Sequence, residues 1–505
     1  MVRRYPILFF FITIVYLFIF FTLNVARYNA LFSFEWEDEA TENQIVWNTA
    51  HGNFFYQSIS DGYFYGHFIP FYFILSLGYK IIPHIFMWYF LSIFGLALSS
   101  IIIYKLAYLA FDNRLKSFLI ALLFLLYPPI HYIALGPIDT ITFFIPLFLL
   151  SFYFFKKNKF LYFMIFIVFA ISCKESVALI VIMFSIYAML CKKEKKWSVI
   201  PLLLGLFWFT ICIFYILPYL SGAEFNLKAD HYQFRSLDKD TFYNSIKFIV
   251  SSPREFLALV FSKEHILLLL RLILPFCFIP LLSIVTFIGI PGFLQLLLIK
   301  GPLPNENSYY ISNVVPFLFL GYIYGLDRLN IILDKFKIRE SIKKRFNYFI
   351  ISFSLLASGF FILGENILGQ IHNDYIYDNR FSKVRNIFDP IFYEMDDDDR
   401  IAWSMIKMIP QEASVSASGD LLIPLSHRKK LLEFGFVKTE YDYFNVDYIL
   451  LNKRNMYHGA GHYEEIKTTD LEKLKLLVNQ GKFIILSERG DFVLLKNVNA
   501  IYRLR

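Results

Sequence analysis

The sequence ILFFFITIVYLFIFFTLNVARYNALFSFEWEDEATE, residues 7–42, decides the fold, because an unbroken apolar run leads into an acidic segment. About twenty apolar residues are enough for a helix to cross the hydrocarbon core of a bilayer. The run is longer than the roughly 7–15 apolar residues of a signal peptide, and no small-residue cleavage site follows it. We therefore predict that residues 7–26 form a retained transmembrane helix.

The composition extends this prediction to most of the 505-residue chain. Hydrophobic residues make up 57% of it and charged residues 18%, whereas soluble domains contain about 25% charged residues. The net charge of +8 comes from short basic clusters between apolar runs, where membrane proteins carry their orientation signals. We therefore predict membrane lipids, and no nucleic acid, as partners. The four cysteines lie in or beside apolar runs without a CxxC pair, so we predict no disulfide framework or zinc site.

Eleven apolar stretches are candidate transmembrane helices. They are residues 7–26, 83–110, 117–135, 139–155, 160–173, 175–191, 197–219, 264–283, 284–300, 311–327 and 346–363. With a cytoplasmic N-terminus, this assignment puts every basic cluster between them on the cytoplasmic side. It predicts a protein of the cytoplasmic membrane with residues 27–82 as an outer loop. The stretch 69–82 is too short to span, and we expect it to lie at the interface or to re-enter the membrane.

The composition changes after residue 363, so we predict a transmembrane domain at 1–363 and a soluble α/β domain outside the cytoplasm at 364–505. Apolar segments predict strands near 413–417, 446–451, 483–487 and 491–496, and an amphipathic helix at 469–480. Residues 488–491 suit a hairpin turn. The run MDDDDR, 395–400, lacks the glycine and terminal glutamate of a calcium loop, and we expect a solvated turn there.

The acidic outer segment, residues 34–55, contains the first candidate functional residues. Its five carboxylates lie within eight positions, and Asp38 and Glu42 are four apart, so they share a face if the segment is helical. Clustered carboxylates tend to raise the pKa of one member or to hold a divalent cation. A solvated acidic loop without a function would have the same spacing, so the pattern alone leaves both interpretations open.

Isolated ionisable residues in apolar surroundings are the second group of candidates. Lys174 and Glu175 interrupt ISCKESVALI, either as polar groups of a substrate path or as a self-neutralising pair at a helical turn. Arg271, in HILLLLRLILPF, suits a phosphate or carboxylate partner, or else extends to the headgroups. Asp139 suits a helix N-cap. His67 is a polar group for an outer cavity or an interfacial filler.

Several short motifs together resemble a known family. They are WNTAHGNFF (47–55), GHFIPFYFILSLGY (66–79), LLYPPIHYIA (125–134), CKESVAL (173–179), NSYYISNVVPFLFLGYIYGLDRL (307–329) and IPQEASVSASGDLLIPLSHRKKLLEF (409–434). The chain looks like a family of predicted bacterial and archaeal multi-pass membrane proteins of unknown function, grouped with the GT-C membrane glycosyltransferases. Oligosaccharyltransferases, protein mannosyltransferases and the aminoarabinose transferase of lipid A belong to that grouping. The resemblance implies a GT-C-like, α-helical polytopic membrane protein with a small α/β outer domain.

The resemblance also implies roles for the matching residues. GT-C enzymes carry an acidic residue in the first outer loop that acts as a base or helps to hold a metal, which would be a divalent cation such as Mg²⁺ or Mn²⁺. Here that residue would be Asp38, in the pattern D-x5-Q-x2-WN, with Glu37 and Glu39 as its catalytic neighbours. Family members often carry Phe-His where this chain has Ile138-Asp139, so no role follows for Asp139. The predicted substrate-binding residues are Gln44, His67, Lys174, Glu175 and Arg271.

These roles describe a transferase that moves a sugar from a polyprenyl-phosphate donor to an acceptor on the outer face of the membrane. Asp38 would accept the proton of the acceptor, and Lys174 and Arg271 would stabilise the leaving phosphate. A transporter or flippase of lipid-linked or small solutes is an alternative, although the sequence has no internal repeat of the transporter kind. A non-catalytic membrane scaffold is another. The transferase hypothesis requires Asp38 and Lys174 to meet at one face of the membrane.

Overall fold

The computed structural model describes residues 4–33, 35–59, 67–191, 194–220, 242–298, 309–363, 387–435, 443–453 and 468–500. These residues form mostly helices, with one sheet near the C-terminus. Parts of the predicted outer segments, at 60–66, 221–241 and 301–308, lie outside the described residues, as does 364–386 at the predicted start of the soluble domain. The domain boundary after residue 363 therefore stays a prediction.

The α-helices up to residue 363 are α1 (Arg4–Asn29), α2 (Trp36–Ala50), α3 (Phe71–Ile81), α4 (Ile85–Phe111), α5 (Arg114–Leu126), α6 (Pro128–Leu135), α7 (Phe144–Lys156), α8 (Phe160–Ser172), α9 (Val177–Cys191), α10 (Lys196–Ile211), α11 (Leu217–Leu220), α12 (Phe242–Ser251), α13 (Pro253–Val260), α14 (Lys263–Ile273), α15 (Ile290–Leu298), α16 (Val315–Lys335) and α17 (Glu340–Leu363). Helices α4 and α16 are mostly buried, whereas α1 and α10 expose most of their apolar side chains. Apolar helices exposed in this way are expected where lipid replaces water.

Four of the described helices are long and apolar enough to cross a membrane, namely Pro6–Asn29, Ile85–Phe111, Lys196–Leu220 and Val315–Lys335. Helices α5 and α6 together meet the same test, but they are bent by 49° against each other. The bend follows from Pro128 and Pro129 at the start of α6, because proline lacks the backbone N–H that would continue the helix. The predicted span 117–135 is therefore a broken helix.

The other predicted spans are shorter or irregular. Helix α8 has 13 residues, which is about 20 Å at 1.5 Å per residue, against a hydrocarbon core of about 30 Å. The expected single helix at 264–283 is wrong: α14 ends at Ile273 and 3₁₀ turns follow, because Pro275 and Pro280 cannot donate backbone hydrogen bonds. The total of eleven spans and their orientation stay predictions.

The stretch 69–82 contains the short helix α3, which packs against α2. Its residues Phe71 and Leu75 are buried, whereas Phe73, Leu77 and Ile81 are exposed. A helix that buries one face in protein and exposes a second apolar face is typical of the membrane interface. The interfacial position predicted for this stretch agrees with that pattern.

The C-terminal region consists of helices α18 (Asp397–Ile406), α19 (Leu422–Leu425) and α20 (Thr468–Asn479) and strands β1 (Val415–Ala417), β2 (Leu431–Glu433), β3 (Tyr448–Asn452), β4 (Phe483–Arg489) and β5 (Phe492–Asn497). The sheet order is β2-β1-β3-β5-β4, with β1 parallel to both neighbours and the other pairs antiparallel. The four predicted strands, the helix at 469–480 and the hairpin turn are confirmed. The three-residue strand β2 was not predicted, because it is too short to show an alternating pattern.

The run MDDDDR is not a solvated turn, so that prediction is wrong. Asp396 is the N-cap of α18, and its side chain accepts a hydrogen bond from the backbone N–H of Asp399 at 2.8 Å. The Asp399 side chain in turn accepts from the backbone N–H of Asp396 at 2.9 Å. Carboxylates in the first turn also interact favourably with the helix dipole, so the aspartate run starts a helix.

Candidate functional site

The candidate site forms around α2, the helix into which the acidic outer segment folds. Acidic residues in the first turn, Glu37 to Glu39, favour this helix because negative charge stabilises the positive end of its dipole. Glu35 is the N-cap residue. Glu35, Asp38 and Glu42 follow the spacing i, i+3, i+7, which places three carboxyl groups on one side of the helix. We call these three residues the acid face.

Glu35 and Asp38 form a hydrogen-bonded pair of carboxyl groups. Burial raises the pKa of both groups, and the charge of Asp38 raises the pKa of Glu35 further. Two hydrogen-bonded carboxyl groups need a proton between them. The hydrogen bond between them raises the pKa of Glu35 further, whereas it lowers the pKa of Asp38 against the larger effect of burial. The Tyr309 hydroxyl also donates to Oδ2 of Asp38, at 3.3 Å.

Lys174 lies opposite the acid face, in the turn between α8 and α9. Its Nζ is 3.5 Å from Oδ2 of Asp139, and both side chains are almost completely buried. Burial by itself lowers the pKa of Lys174, but the charge of Asp139 raises it and the net shift is upward, so the amine is charged. The Nζ atom also lies 5.7 Å and 5.2 Å from the ring centroids of Tyr309 and Tyr310, within cation–π range.

Tyr309 connects the acid face with Lys174. It belongs to the 3₁₀ turn Tyr309–Asn313 before α16, and its hydroxyl contacts Asp38 while its ring lies beside the lysine amine. The charge of Lys174 also lowers the pKa of Asp38 against the larger effect of burial. Asp38 and Lys174, which the transferase hypothesis requires to meet, both contact the Tyr309 side chain in the structure.

Asp139 fixes Lys174 to the neighbouring helix. Its Oδ1 accepts a hydrogen bond from the backbone N–H of Ile141 at 2.7 Å, so the predicted N-cap is confirmed. The next residue, Thr140, donates its hydroxyl to the carbonyl oxygen of Cys173 at 2.9 Å. The cap and this hydrogen bond hold the lysine turn against the start of the 3₁₀ turn Thr140–Phe143.

Glu42 completes the acid face on the side of α3. Burial raises its pKa well above the ordinary value, and the charges of Asp139 and Asp38 raise it further. The Tyr72 hydroxyl donates a hydrogen bond to the carboxyl group, whereas Oε2 has no hydrogen-bond partner among the residues that the structure describes. These surroundings favour the neutral form of the Glu42 carboxyl group.

Two predicted substrate-binding residues, His67 and Glu175, form a pair beside Lys174. The ring Nδ1 of His67 donates to Oε1 of Glu175 at 2.7 Å. The positive charge of Lys174, the preceding residue, lies close enough to interact with this carboxyl group.

The structure places Glu39 and Gln44 away from the acid face. Glu39 accepts hydrogen bonds from Arg27 at 3.2 Å and 3.1 Å, and from the hydroxyls of Ser33 and Tyr89 at 2.6 Å each. All four hydrogen bonds anchor α2 to neighbouring protein. The role of Glu39 as a catalytic neighbour therefore stays a prediction that this geometry does not favour.

The side-chain amide of Gln44 likewise makes its hydrogen bonds to neighbouring parts of the chain. Its Nε2 donates to the Ser58 hydroxyl at 3.1 Å and to the carbonyl oxygen of Arg428 at 2.9 Å, while Oε1 accepts from the backbone N–H of Ser58 at 2.8 Å.

Glu37 is buried on a different side of α2 from Asp38. Arg271 is half-buried in the last turn of α14, and no ion pair joins it to Asp38 among the described residues.

Four residues of the site are not among the predicted catalytic or substrate-binding residues. Glu35 could have been found, because it lies three positions before Asp38 and so shares its face on a helix. The tyrosines of the site, Tyr72, Tyr309 and Tyr310, carry no such signal, since a tyrosine in an apolar run is usually a packing residue. Only their position opposite the carboxyl groups distinguishes them.

The described residues contain no group of three or more His, Cys, Asp or Glu side chains arranged to hold a metal ion. The acid face offers oxygen ligands of the kind that Mg²⁺ and Mn²⁺ prefer, but two of its carboxyl groups, Glu35 and Glu42, have strongly raised pKa values. We therefore derive no step through a metal. The expected divalent cation remains a proposal that chelation can test.

Comparison with known proteins gives both family and fold. A family model described as "Predicted membrane protein (DUF2079)" matches residues 38–494. The crystal structure of ArnT from Cupriavidus metallidurans bound to undecaprenyl phosphate superposes with a TM-score of 0.50 at 11% identity, over 98% of both chains. The apo structure of the same protein gives 0.52 at 12% identity, again over 98% of both chains. ArnT has the GT-C fold, so the predicted GT-C-like helical fold is confirmed. The number of transmembrane helices and their orientation stay predictions. No curated protein sequence matches the chain significantly.

Proposed function

We propose a function from the premise that this chain belongs to the DUF2079 family of predicted membrane proteins. The protein is a GT-C-type membrane glycosyltransferase that moves a sugar from a polyprenyl-phosphate donor to an acceptor at the outer face of the cytoplasmic membrane. The observation that carries the proposal is the meeting of Asp38 and Lys174 around Tyr309. That arrangement puts a buried carboxylate and a buried cation at one site.

The reaction assigns a separate task to each group. A hydroxyl or amine of the acceptor attacks the anomeric carbon, the bond from that carbon to the phosphate oxygen breaks, and the phosphate leaves on its lipid. Asp38 takes the proton of the acceptor, a step that contributes roughly 10²- to 10⁴-fold in general-base catalysis. Lys174 stabilises the negative charge of the leaving phosphate, which a cation in a water-poor site does strongly.

The neighbouring groups prepare Asp38 and Lys174 for these tasks. The hydrogen bond with Glu35 lowers the pKa of Asp38 and so favours its ionised form, while burial keeps that pKa above the value of a solvated aspartate, which suits a base. Asp139 and the two tyrosine rings hold the Lys174 amine in place. The hydrogen bonds with Glu35 and with the hydroxyl of Tyr309 also stabilise Asp38 before the acceptor arrives.

Two observations support a lipid-linked donor. Apolar side chains of α1 and α10 are exposed over most of their length, which leaves room for a lipid tail against the helices. ArnT, which has a similar fold, was crystallised with undecaprenyl phosphate. The sugar and the acceptor are not part of this proposal.

The test is turnover by the purified full-length chain in nanodiscs, supplied with radiolabelled polyprenyl-phosphate sugars and a mixture of acceptors. Asp38→Asn and Lys174→Ala should each lower kcat by at least 100-fold. The matched controls are Asp397→Asn, at a side chain that is 92% exposed, and Lys475→Ala, at an exposed residue of α20. Both controls should retain wild-type turnover.

The outcomes separate the competing functions. Full turnover by Asp38→Asn and Lys174→Ala would refute the assignment of the site. If no donor is turned over and liposomes containing the protein take up solute, the protein is a transporter or flippase. Loss of turnover with EDTA and recovery with Mg²⁺ or Mn²⁺ would add a divalent cation to the mechanism.

A further inference from the structure

A second side of α2 is attached to the C-terminal region. The Asn43 side-chain amide donates to the Ser426 hydroxyl at 2.6 Å, and the Gln44 amide donates to the carbonyl oxygen of Arg428 at 2.9 Å. Both partners lie in the connection between α19 and β2. Because these residues lie on a different side of the helix from Asp38, the C-terminal region holds α2 without covering the acid face.

Trp36, the first residue of α2, also contacts the C-terminal region. This residue lies at the carboxyl ends of the parallel strands β1 and β2, beside Gly419, which follows β1, and Glu433, the last residue of β2. In open α/β sheets, ligands bind in the crevice outside these strand ends. Here the first residue of the chain's own helix occupies that position.

The contact at Trp36 is tight and directional. A Cβ atom on Gly419 would lie 2.0 Å from Nε1 of Trp36 and 2.5 Å from the next ring carbon. The indole N–H donates a hydrogen bond to the carboxyl group of Glu433. Next to this contact, the Asn452 side chain at the end of β3 donates a hydrogen bond to Asp420 at 2.8 Å. The indole therefore packs against strand ends that a further hydrogen bond joins.

We propose that the C-terminal sheet positions the acid face of α2, with the contact of Trp36 with Gly419 and Glu433 as its fixed point. The kinetic consequences of this inference rest on the proposed transferase function. Trp36 is adjacent to Glu35 and two residues before Asp38, so the fixed point lies within one helical turn of the hydrogen-bonded carboxyl pair. Glu433 acts through Trp36 and is a positioning residue.

The contact between Gly419 and Trp36 determines how far kcat should fall in Gly419→Ala. With an alanine at 419, the indole must move by about 1.4 Å to reach an ordinary contact of 3.4 Å, or turn away and lose Glu433. A misplacement of about 1 Å can cost roughly 100-fold in rate. We therefore expect Gly419→Ala to lower kcat by about 100-fold while the KM for the lipid donor changes by less than about threefold, because the donor-facing helices are unchanged.

Amide hydrogen exchange of the full chain in nanodiscs tests the positioning independently of any activity. Gly419→Ala and Glu433→Leu should each accelerate exchange in peptides covering 36–50 by at least tenfold and leave peptides from α4 unchanged, because leucine cannot accept the indole hydrogen bond. Gly359→Ala is the matched control, since a Cβ there meets no atom within 4 Å. Trp36→Leu should by itself accelerate exchange at 36–50, because leucine removes both the packing against Gly419 and the hydrogen bond to Glu433.

Each outcome decides one of the two claims. Faster exchange at 36–50 with a lower kcat supports the positioning role. Unchanged exchange at 36–50 in both variants refutes that role, whatever the kinetics. If exchange accelerates but the wild-type chain turns over no donor, the positioning role stands and the proposed transferase function fails.

Discussion

A buried ion pair between Arg27 of α1 and Glu39 of α2 connects the helix of the candidate site to a membrane helix. The two side chains are 1% and 0% exposed. We predict that Arg27→Met destabilises the protein by about 3–4 kcal/mol. Removing one partner of a buried pair leaves the other charge without its counterion, which typically costs about 3–5 kcal/mol.

The contacts of Glu39 set this magnitude. Arg27 supplies two of its four hydrogen bonds, at 3.2 Å and 3.1 Å, and hydrogen bonds to charged groups contribute about 1.5–3 kcal/mol each. The hydroxyls of Ser33 and Tyr89 would remain and would offset part of the loss. The double variant Arg27→Met with Glu39→Gln should return to within about 1 kcal/mol of the wild type, because no buried charge is left.

The assay is reversible unfolding in mixed micelles, followed for the wild type, both single variants and the double variant. The matched control is Lys453→Met, which breaks an ion pair whose side chains are 42% and 49% exposed and should cost less than about 1 kcal/mol. If Arg27→Met costs no more than Lys453→Met, the argument that α2 is anchored through a buried charge pair is refuted.

Three further changes test other parts of the structure. Burial raises the pKa of Glu433 to about 7 in the folded protein, whereas the unfolded value is about 4.3. The contribution of protonated Glu433 to the free energy of unfolding is therefore complete below about pH 4 and is lost as the pH rises through about 7. Unfolding free energies measured at stepped pH should therefore fall between about pH 5 and pH 8, and Glu433→Gln should flatten that slope. Asp396→Ala removes the N-cap of α18 and should cost about 0.5–2 kcal/mol in the same unfolding assay; no loss would contradict the capping box. Gly325→Ala would place a Cβ 2.2 Å from the Ile279 carbonyl oxygen and should lower the thermal midpoint, whereas Gly359→Ala should leave it unchanged.

The sequence alone determined the helical membrane architecture and the elements of the C-terminal sheet. Apolar run length predicts helices directly, since a lipid-embedded backbone must satisfy its hydrogen bonds within each segment. The predicted strands at 446–451 and 483–487 are confirmed, and their apolar residues pack into a common hydrophobic core. The sequence also put forward Lys174, Glu175 and His67 as candidates, since ionisable groups in apolar surroundings are few, and Asp38 from the acidic segment and the family resemblance.

Helix formation decided which carboxyl groups lie together, and only the tertiary structure decided which distant side chains meet them. Along the sequence Glu37 and Glu39 are the neighbours of Asp38, but a helix turns by about 100° per residue, so its neighbours in space are Glu35 and Glu42. Which side of α2 each neighbouring element contacts cannot be read from spacing. Tyr309, 271 residues away, meets Asp38 only because α16 packs into the same bundle. Packing between residues far apart in the sequence therefore determines which of the candidate residues lie together in the site.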